Sequence, residues 1–326
     1  MHRDHIRRRL KLRQLEILLA VADAGSMAKA ATRLAISQPA ISRAIADVEH
    51  ALGVPLFDRS PQGVEPTRYG RALLKRGIAA FDEIDQGVKD IEFLADPTVG
   101  ELWIGSAPGL AEGIVLAVID KMSRNYPRVV FHIVPYAQTA DDELRERRIE
   151  LGFARAPEPA AEDDLETDVL FDDTLAVVAG KRNPWVRRRR IKLAELVNEP
   201  WTWPPRGTII DFLIGDAFRA SGIEPPRATV YADAINMRTR LAATGPYLAV
   251  VPASIMRFPG MHPSIKVLPV ELPTTQRPIG IITLRNRTLS PLAQLFIASA
   301  REVAKPLAKA QAPLGRAKNL GLQLAD

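Results

Sequence analysis

The 326-residue chain contains no cysteine. That excludes disulfides, thiolate metal sites and cysteine nucleophiles. Long apolar runs are also missing: the longest, around 113–119 and 17–22, fall well short of the ~18 residues that a spanning helix needs. The opening stretch Met-His-Arg-Asp-His-Ile-Arg-Arg-Arg has no apolar core and does not read as a secretory signal. A soluble, cytoplasmic protein without a membrane partner is expected. The five histidines, His2, His5, His50, His132 and His262, are scattered, so neither a metal site nor a cofactor is expected. Catalytic constellations are lacking too. Ser26-Met27-Ala28-Lys29 fits the S-x-x-K pattern of penicillin-binding enzymes, but its partner motifs are absent. In Gly105-Ser106-Ala107-Pro108-Gly109 the serine follows the first glycine directly, the wrong spacing for a nucleophile elbow. The chain does not read as an enzyme.

What is present is an ordinary core-forming composition, 47% hydrophobic and 25% charged, with a length that suggests about two domains. The charge is unevenly placed. Residues 1–76 carry 14 Lys/Arg against 7 Asp/Glu, and the remaining 250 carry 30 against 31. All the excess of +6 therefore sits in the first quarter, which points to a polyanion partner for that part alone.

Leu12, Leu15, Ile17, Leu18 and Val21 have helical spacing, and Gly25 ends that stretch. Ser26 can cap a second helix over 27–34, rich in alanine. Ser37 can cap a third over 38–52, with Pro39 in its first turn and Gly53 at its end. Residues 56–66 contain Pro61 and Gly63 between short extended stretches and suggest a β-wing. Together these predict a winged helix-turn-helix. A long helix over 67–95 follows, ended by Asp96-Pro97. Gly70, Leu74, Gly77, Phe81, Ile84, Val88, Ile91 and Ala95 make a heptad seam along it, which suggests a dimerisation helix, the alternative being a helix packed on its own neighbours.

From 99 onward apolar strands at 102–106, 129–134, 151–154 and 175–179 alternate with helices at 110–125 and 141–147. Further strands are expected near 201, 229–231, 248–251 and 279–284, with helices near 209–221, 235–243 and 289–304. This alternation predicts two α/β lobes with mostly parallel sheets. Trp201 and Trp203 are expected in a lobe core or lining a cleft, and the four arginines 187–190 as a solvated face or an extra DNA contact.

On the third helix Ile41, Ile45, Val48 and Leu52 share one face and should be buried. That leaves Gln38, Pro39, Ser42 and Arg43 outward. Gln38 and Arg43 have the donor and acceptor geometry that reads adenine and guanine edges in the major groove. Ser42 can bond a base or a phosphate, and Pro39 can meet a thymine methyl. Arg13, Arg59, Ser60, Thr67 and Arg68 are the expected phosphate contacts.

Residues 11–95 closely resemble the DNA-binding domain and linker helix of LysR-type transcriptional regulators. The pieces that carry the resemblance are Leu12-Arg13-Gln14-Leu15, the turn and helix start Ser37-Gln38-Pro39-Ala40-Ile41-Ser42, Val48-Glu49, Leu52-Gly53, and Leu56-Phe57-Asp58-Arg59 followed by Pro66-Thr67. The likeness continues more loosely to about 305. Pro66 stands where the family commonly has leucine, and Tyr69-Gly70 where Ala-Gly is usual. The resemblance implies an α/β multidomain chain: a winged helix-turn-helix over 10–66, a linker helix over 67–96, and a two-lobed, periplasmic-binding-protein-like effector domain over 98–305. Lobe I would cover about 98–167 and 276–305, lobe II about 168–275, with a flexible tail over 306–326. It also implies double-stranded DNA, a small-molecule effector, RNA polymerase and further copies of the chain (a homodimer or homotetramer) as partners. A transport solute-binding protein would use the same lobes but has no use for a basic winged head.

A small anion in such a cleft is best held where strands end and helices begin. Ser106 to Gly109, Gln138 and Thr139 are the candidates in the first lobe, and Arg206, Gly207 and Thr208 in the second. Arg155 ends the strand Leu151-Gly152-Phe153-Ala154-Arg155, where the resemblance to regulators of aromatic-compound catabolism implies an arginine for a carboxylate; a solvated or structural arginine is the alternative. The ligand serine and threonine of those regulators align with Gly109 and Ala137, so the pocket is not a copy of theirs.

Overall fold

The computed structural model describes residues 10–61, 63–136, 142–156, 164–258 and 263–309. The chain divides into two compact units, 1–88 and 89–326. In the first, α1 (Leu12–Ala24) ends at Gly25, whose φ of 60° lets its N–H reach back to the Val21 carbonyl. Ser26 caps α2 (Met27–Leu34), and Ser37 caps α3 (Gln38–Leu52). The turn between them puts Ala35 at φ 53°, a left-handed conformation costing an L-residue about 1–2 kcal/mol. Burial of Leu18, Val21, Ala30, Ile41, Ile45 and Val48 in one cluster offsets that cost.

The wing is an antiparallel pair, β1 (Phe57–Ser60) and β2 (Gly63–Pro66). It is pinned twice. Glu49 on α3 accepts the Leu56 and Phe57 N–H groups at 2.6 and 3.3 Å, and the Val64 N–H donates to the Gly25 carbonyl at 2.9 Å. Then α4 (Arg68–Ala95) begins with Thr67 accepting the Gly70 N–H. Gly70 is required there, because a Cβ would collide with the Leu56 carbonyl oxygen. The expected seam is buried at Gly70, Leu74 and Gly77. Farther along, Ile84, Val88, Ile91 and Leu94 are 45%, 49%, 69% and 83% exposed.

The second unit holds two five-stranded sheets. The first comprises β3 (Val99–Ser106), β4 (Arg128–Pro135), β5 (Leu151–Arg155), β6 (Leu165–Asp173) and, near the end of the described chain, β12 (Arg277–Leu284), in the order β4-β3-β5-β12-β6. The second comprises β7 (Leu175–Gly180), β8 (Trp201–Trp203), β9 (Val230–Tyr231), β10 (Leu248–Pro252) and β11 (Ile265–Val267), in the order β11-β7-β10-β8-β9. Both sheets are mixed, not mostly parallel as expected: β12 runs antiparallel to β5 and β6, and β7 antiparallel to β10 and β11. The parallel rule for consecutive βαβ units does not extend to these pairs, because each joins strands separated by several intervening elements of the chain. Because β6 stays in the first sheet through Asp173, the chain crosses to the second lobe at Thr174, later than the expected 167/168.

A turn at Pro108–Leu110 and a π-helical turn at Ala111–Val115 lead into α5 (Leu116–Asn125), where one regular helix is expected. After the short α6 (Asp142–Arg145), the second lobe adds α7 (Ile209–Ala220) and α8 (Ile235–Ala243). The last helix, α9 (Pro291–Lys309), passes through Pro306 instead of fraying there. Ala304 and Leu307 are buried in the first lobe's core with Phe153 and Phe296, which stabilises the last turn despite the lost N–H. Trp201, Trp203 and Phe218 cluster in the second core with ring centroids 5.9–6.0 Å apart, so the tryptophans are core residues. Among the described residues no helix is long and apolar enough to cross a membrane, and no group of three or more metal-ligating side chains is found.

Candidate nucleic-acid interface and ligand cleft

The Ser37 cap starts α3 with Gln38 and Pro39 in its first turn, and the helical repeat brings Ser42 and Arg43 alongside them. Ile41, Ile45 and Val48 occupy the opposite side and are fully or nearly fully buried. Gln38, Pro39 and Arg43 are exposed, and Ser42 is half-buried. Arg43 has no hydrogen-bond or ion partner among the described residues, nor does Arg59 on the wing. Both guanidinium groups are therefore available to a ligand.

The other expected phosphate contacts are partly engaged. Arg13 pairs with Glu16 at 2.7 Å on the surface of α1. Ser60 donates to the Gly63 carbonyl across the wing turn at 3.4 Å. Arg68 lies 4.6 Å over the Tyr69 ring and bonds its hydroxyl. Thr67 donates its hydroxyl proton to the Pro55 carbonyl at 2.7 Å while capping α4, so that proton is committed to the fold. Exposed Arg71, which the sequence reading passed over, donates to the Pro66 carbonyl at 2.6 Å beside them.

In the second unit the two lobes meet through small residues. A Cβ at Gly109 would lie 2.9 Å from Pro252, and one at Gly113 would lie 3.3 Å from Phe258. Ser106 is buried, with its hydroxyl donating to the Ala107 carbonyl at 3.1 Å. Gln138 and Thr139 lie outside the described residues.

Arg155, at the end of β5, is only 5% exposed, and its Nε and Nη2 are buried without a hydrogen-bond partner among the described residues. Burial pulls its pKa down; Asp173 opposes that and Arg277 adds to it. Asp173 stands at the lobe crossing. It accepts the Ser254 hydroxyl at 2.6 Å and the backbone N–H groups of Ser254 and Thr174 at 3.0 and 2.9 Å. Burial still holds its carboxyl above the ordinary range, against the Ser254 bonds and the Arg155 charge.

Sequence reasoning missed a second buried cation. Arg238 on α8 is 5% exposed; it donates to the Val250 carbonyl at 2.9 Å and leaves its Nε without a partner among the described residues. Its nearby charges are Asp233 and, from the first lobe's π-turn, Glu112. Burial raises the Glu112 pKa, with Arg238 opposing. The available signal was a charge on an apolar face, since Arg238 shares its side of α8 with Ile235, Thr239 and Ala242.

The start of α7 departs from the expected anion site. Asp211 accepts the Gly207 N–H at 2.9 Å and the Trp203 indole N–H at 2.8 Å, while Thr208 accepts the Asp211 N–H at 3.3 Å. A carboxylate of the chain itself thus fills the position that favours negative charge. Arg206 lies 5.3 Å over the Tyr231 ring on the surface. The structure brings Arg155 together with Asp173 and Ser254, and leaves Arg206 and Thr208 to a separate cap.

Comparison with known proteins agrees with these two parts. Residues 12–71 match the family described as bacterial regulatory helix-turn-helix protein, lysR family, and residues 95–305 match the LysR substrate binding domain. The HTH-type transcriptional regulator GbpR of Azospirillum brasilense is 26% identical over 300 residues, covering 91% of this chain and 87% of the relative. The transcriptional dual regulator GltC of Bacillus subtilis is 28% identical over 288 residues, covering 88% and 95%. Among solved structures, full-length CbnR complexed with its target DNA is 26% identical with a TM-score of 0.51, covering 91% of this chain and all of that one. The chain, with its winged head and two-lobed domain, belongs to the LysR family of transcriptional regulators.

Proposed function

We propose that α3 enters the major groove with Gln38 and Arg43 on base edges, and that a small anion held against Arg155 between the lobes controls the regulator. Ser42 and Pro39 would add a polar and an apolar base contact. Arg59, Arg68 and Arg13 would hold phosphates, supplying affinity with steep salt dependence. Such a protein works where the chromosome is, in the cytoplasm of a bacterial cell.

One observation carries the choice of an anion: Arg155 is a buried cation with two N–H-bearing nitrogens that meet no acceptor among the described residues. Leaving such donors unpaired is costly. A carboxylate or phosphate supplies the missing acceptors in the fork geometry that a guanidinium favours. Asp173 balances part of the charge but gives its hydrogen-bonding capacity to Ser254 and Thr174. A thermal-shift screen of small carboxylates, phosphate esters and neutral sugars tests this, because binding to the native state raises the melting temperature. Anionic hits whose shift disappears in Arg155→Ala support the reading. Shifts from neutral sugars alone, or anionic shifts unchanged in the variant, refute it.

The exposed row Ile84, Val88, Ile91 and Leu94 leaves an apolar stripe on α4 that water does not favour. A second copy of α4, presenting the same stripe, is the proposed cover, which makes a homodimer the minimal unit. Sedimentation of Ile84→Glu/Ile91→Glu tests it: a monomer is expected, and an unchanged oligomer contradicts the assignment.

A further inference from the structure

The second lobe displays a charged surface that the cleft does not use. From Lys181 to Lys192 the chain exposes Lys181, Arg182, Arg187, Arg188, Arg189, Arg190 and Lys192. No acidic residue occurs between Asp173, which is buried, and Glu195. Glu195 itself accepts the backbone N–H of Lys192 at 2.8 Å. None of the seven cations has a carboxylate partner among the described residues. Exposed Lys266, on the edge strand β11, adds an eighth charge close by.

This run is built onto the lobe. Asn183 is buried; its Oδ1 accepts the Trp185 N–H at 3.0 Å and its Nδ2 donates to the Gly245 carbonyl at 2.7 Å. Trp185 and Val186 pack on the core and Ile191 is buried in it. Both ends are stitched to the stretch around β11: the Lys181 N–H donates to the Ser264 carbonyl at 3.0 Å, and the Ile191 N–H to the Pro269 carbonyl at 3.2 Å. Arg188 also lies 5.8 Å from the Trp185 ring. The backbone that presents these charges is therefore fixed before any partner arrives, and less entropy is lost on binding.

We propose that the surface from Lys181 to Lys192 binds the phosphate backbone of duplex DNA flanking the sites held by the winged heads, adding affinity that does not depend on sequence. Guanidinium groups suit phosphate oxygens. Within the run no large apolar side chain is fully exposed, so it lacks the anchor that a protein partner would need. A duplex already held by the first unit keeps its own flanks at high local concentration.

The test uses the full chain and a binding site selected from random DNA, placed in duplexes of about 20 and about 60 base pairs and titrated over a range of KCl concentrations. Replacing Arg187, Arg188, Arg189 and Arg190 together by glutamine should lower the salt slope on the long duplex by about 2–4 and weaken binding there about 10-fold or more near physiological salt. Affinity for the short duplex should not change, and an unchanged melting temperature of the variant confirms that the second lobe is folded. The fourfold lysine variant should keep most of the slope. Coincident titrations of wild type and glutamine variant on the long duplex overturn the proposal, as do equal losses on both lengths. Displacement of the long duplex's extra affinity by polyglutamate, at charge concentrations where unrelated duplex has no effect, assigns the surface to an acidic protein and also overturns it.

Discussion

Arg43→Ala separates reading from holding. Arg43 is exposed and has no partner among the described residues, so removing it takes nothing from the fold, and stability should change by no more than about 0.5 kcal/mol. Against a guanine edge it would make a paired contact worth about 1–3 kcal/mol of discrimination, a factor of roughly 5–150 for each copy of α3 in a groove. The assay is fluorescence anisotropy on a selected site and on random duplex, each across a salt series. The ratio of the two affinities should fall by that factor in Arg43→Ala, while the affinity for random duplex barely moves. Arg59→Ala should give the opposite pattern: both affinities fall together, and the salt slope drops by about 1 for each copy bound. A full specificity ratio in Arg43→Ala, or a base-selective loss in Arg59→Ala, refutes the division of labour.

Ile45→Ala should cost about 2–5 kcal/mol, because Ile45 is completely buried behind the reading face; urea unfolding of the winged unit measures it, and a loss under 1 kcal/mol would mean the helix is not packed as described. Gly70→Ala should lower the melting temperature and weaken DNA binding on all sequences, since the added methyl collides with the Leu56 carbonyl and must push α4 off the wing. Glu112, whose carboxyl burial holds above the ordinary range, takes up its proton more readily in the native state than in the unfolded chain. Its contribution therefore favours the fold in acid and fades as pH rises from the unfolded value through the raised native one. Glu112→Gln should melt with wild type near about pH 4 and above it near about pH 7.5; a variant that melts lower at the higher pH reverses the sign and refutes the inference.

The two halves of the chain differ in how far sequence alone exposes them. In the winged unit the signals are local. Ser26 and Ser37 cap, Gly25 and Gly53 terminate, and the apolar period of α3 decides which side faces water, so Gln38 and Arg43 could be placed outward without knowing any distant contact. In the lobes the decisive facts are long-range. Nothing near Leu165–Asp173 says that this acid-rich stretch is an edge strand completing a sheet begun sixty residues earlier, which is why the lobe crossing was expected too early. At α7 the strand-end rule pointed to Arg206 and Thr208, but the chain answers its own helix dipole with Asp211, four residues past Gly207. Arg155 was legible as a strand-end cation. That two of its nitrogens lack a partner among the described residues was not, because it depends on Asp173 being taken up by Ser254, a partner from the other lobe.

The most direct measurement of the central claim is guanine N7 methylation on a selected site, with wild type and with Arg43→Ala bound at saturation. N7 lies in the major groove, where α3 should sit. Wild type should protect guanines in two half-sites about one helical turn, or a multiple of it, apart, and Arg43→Ala should leave a guanine in each half-site open while the remaining protections persist. Identical protection by both proteins, or no protection at any major-groove guanine, would contradict it.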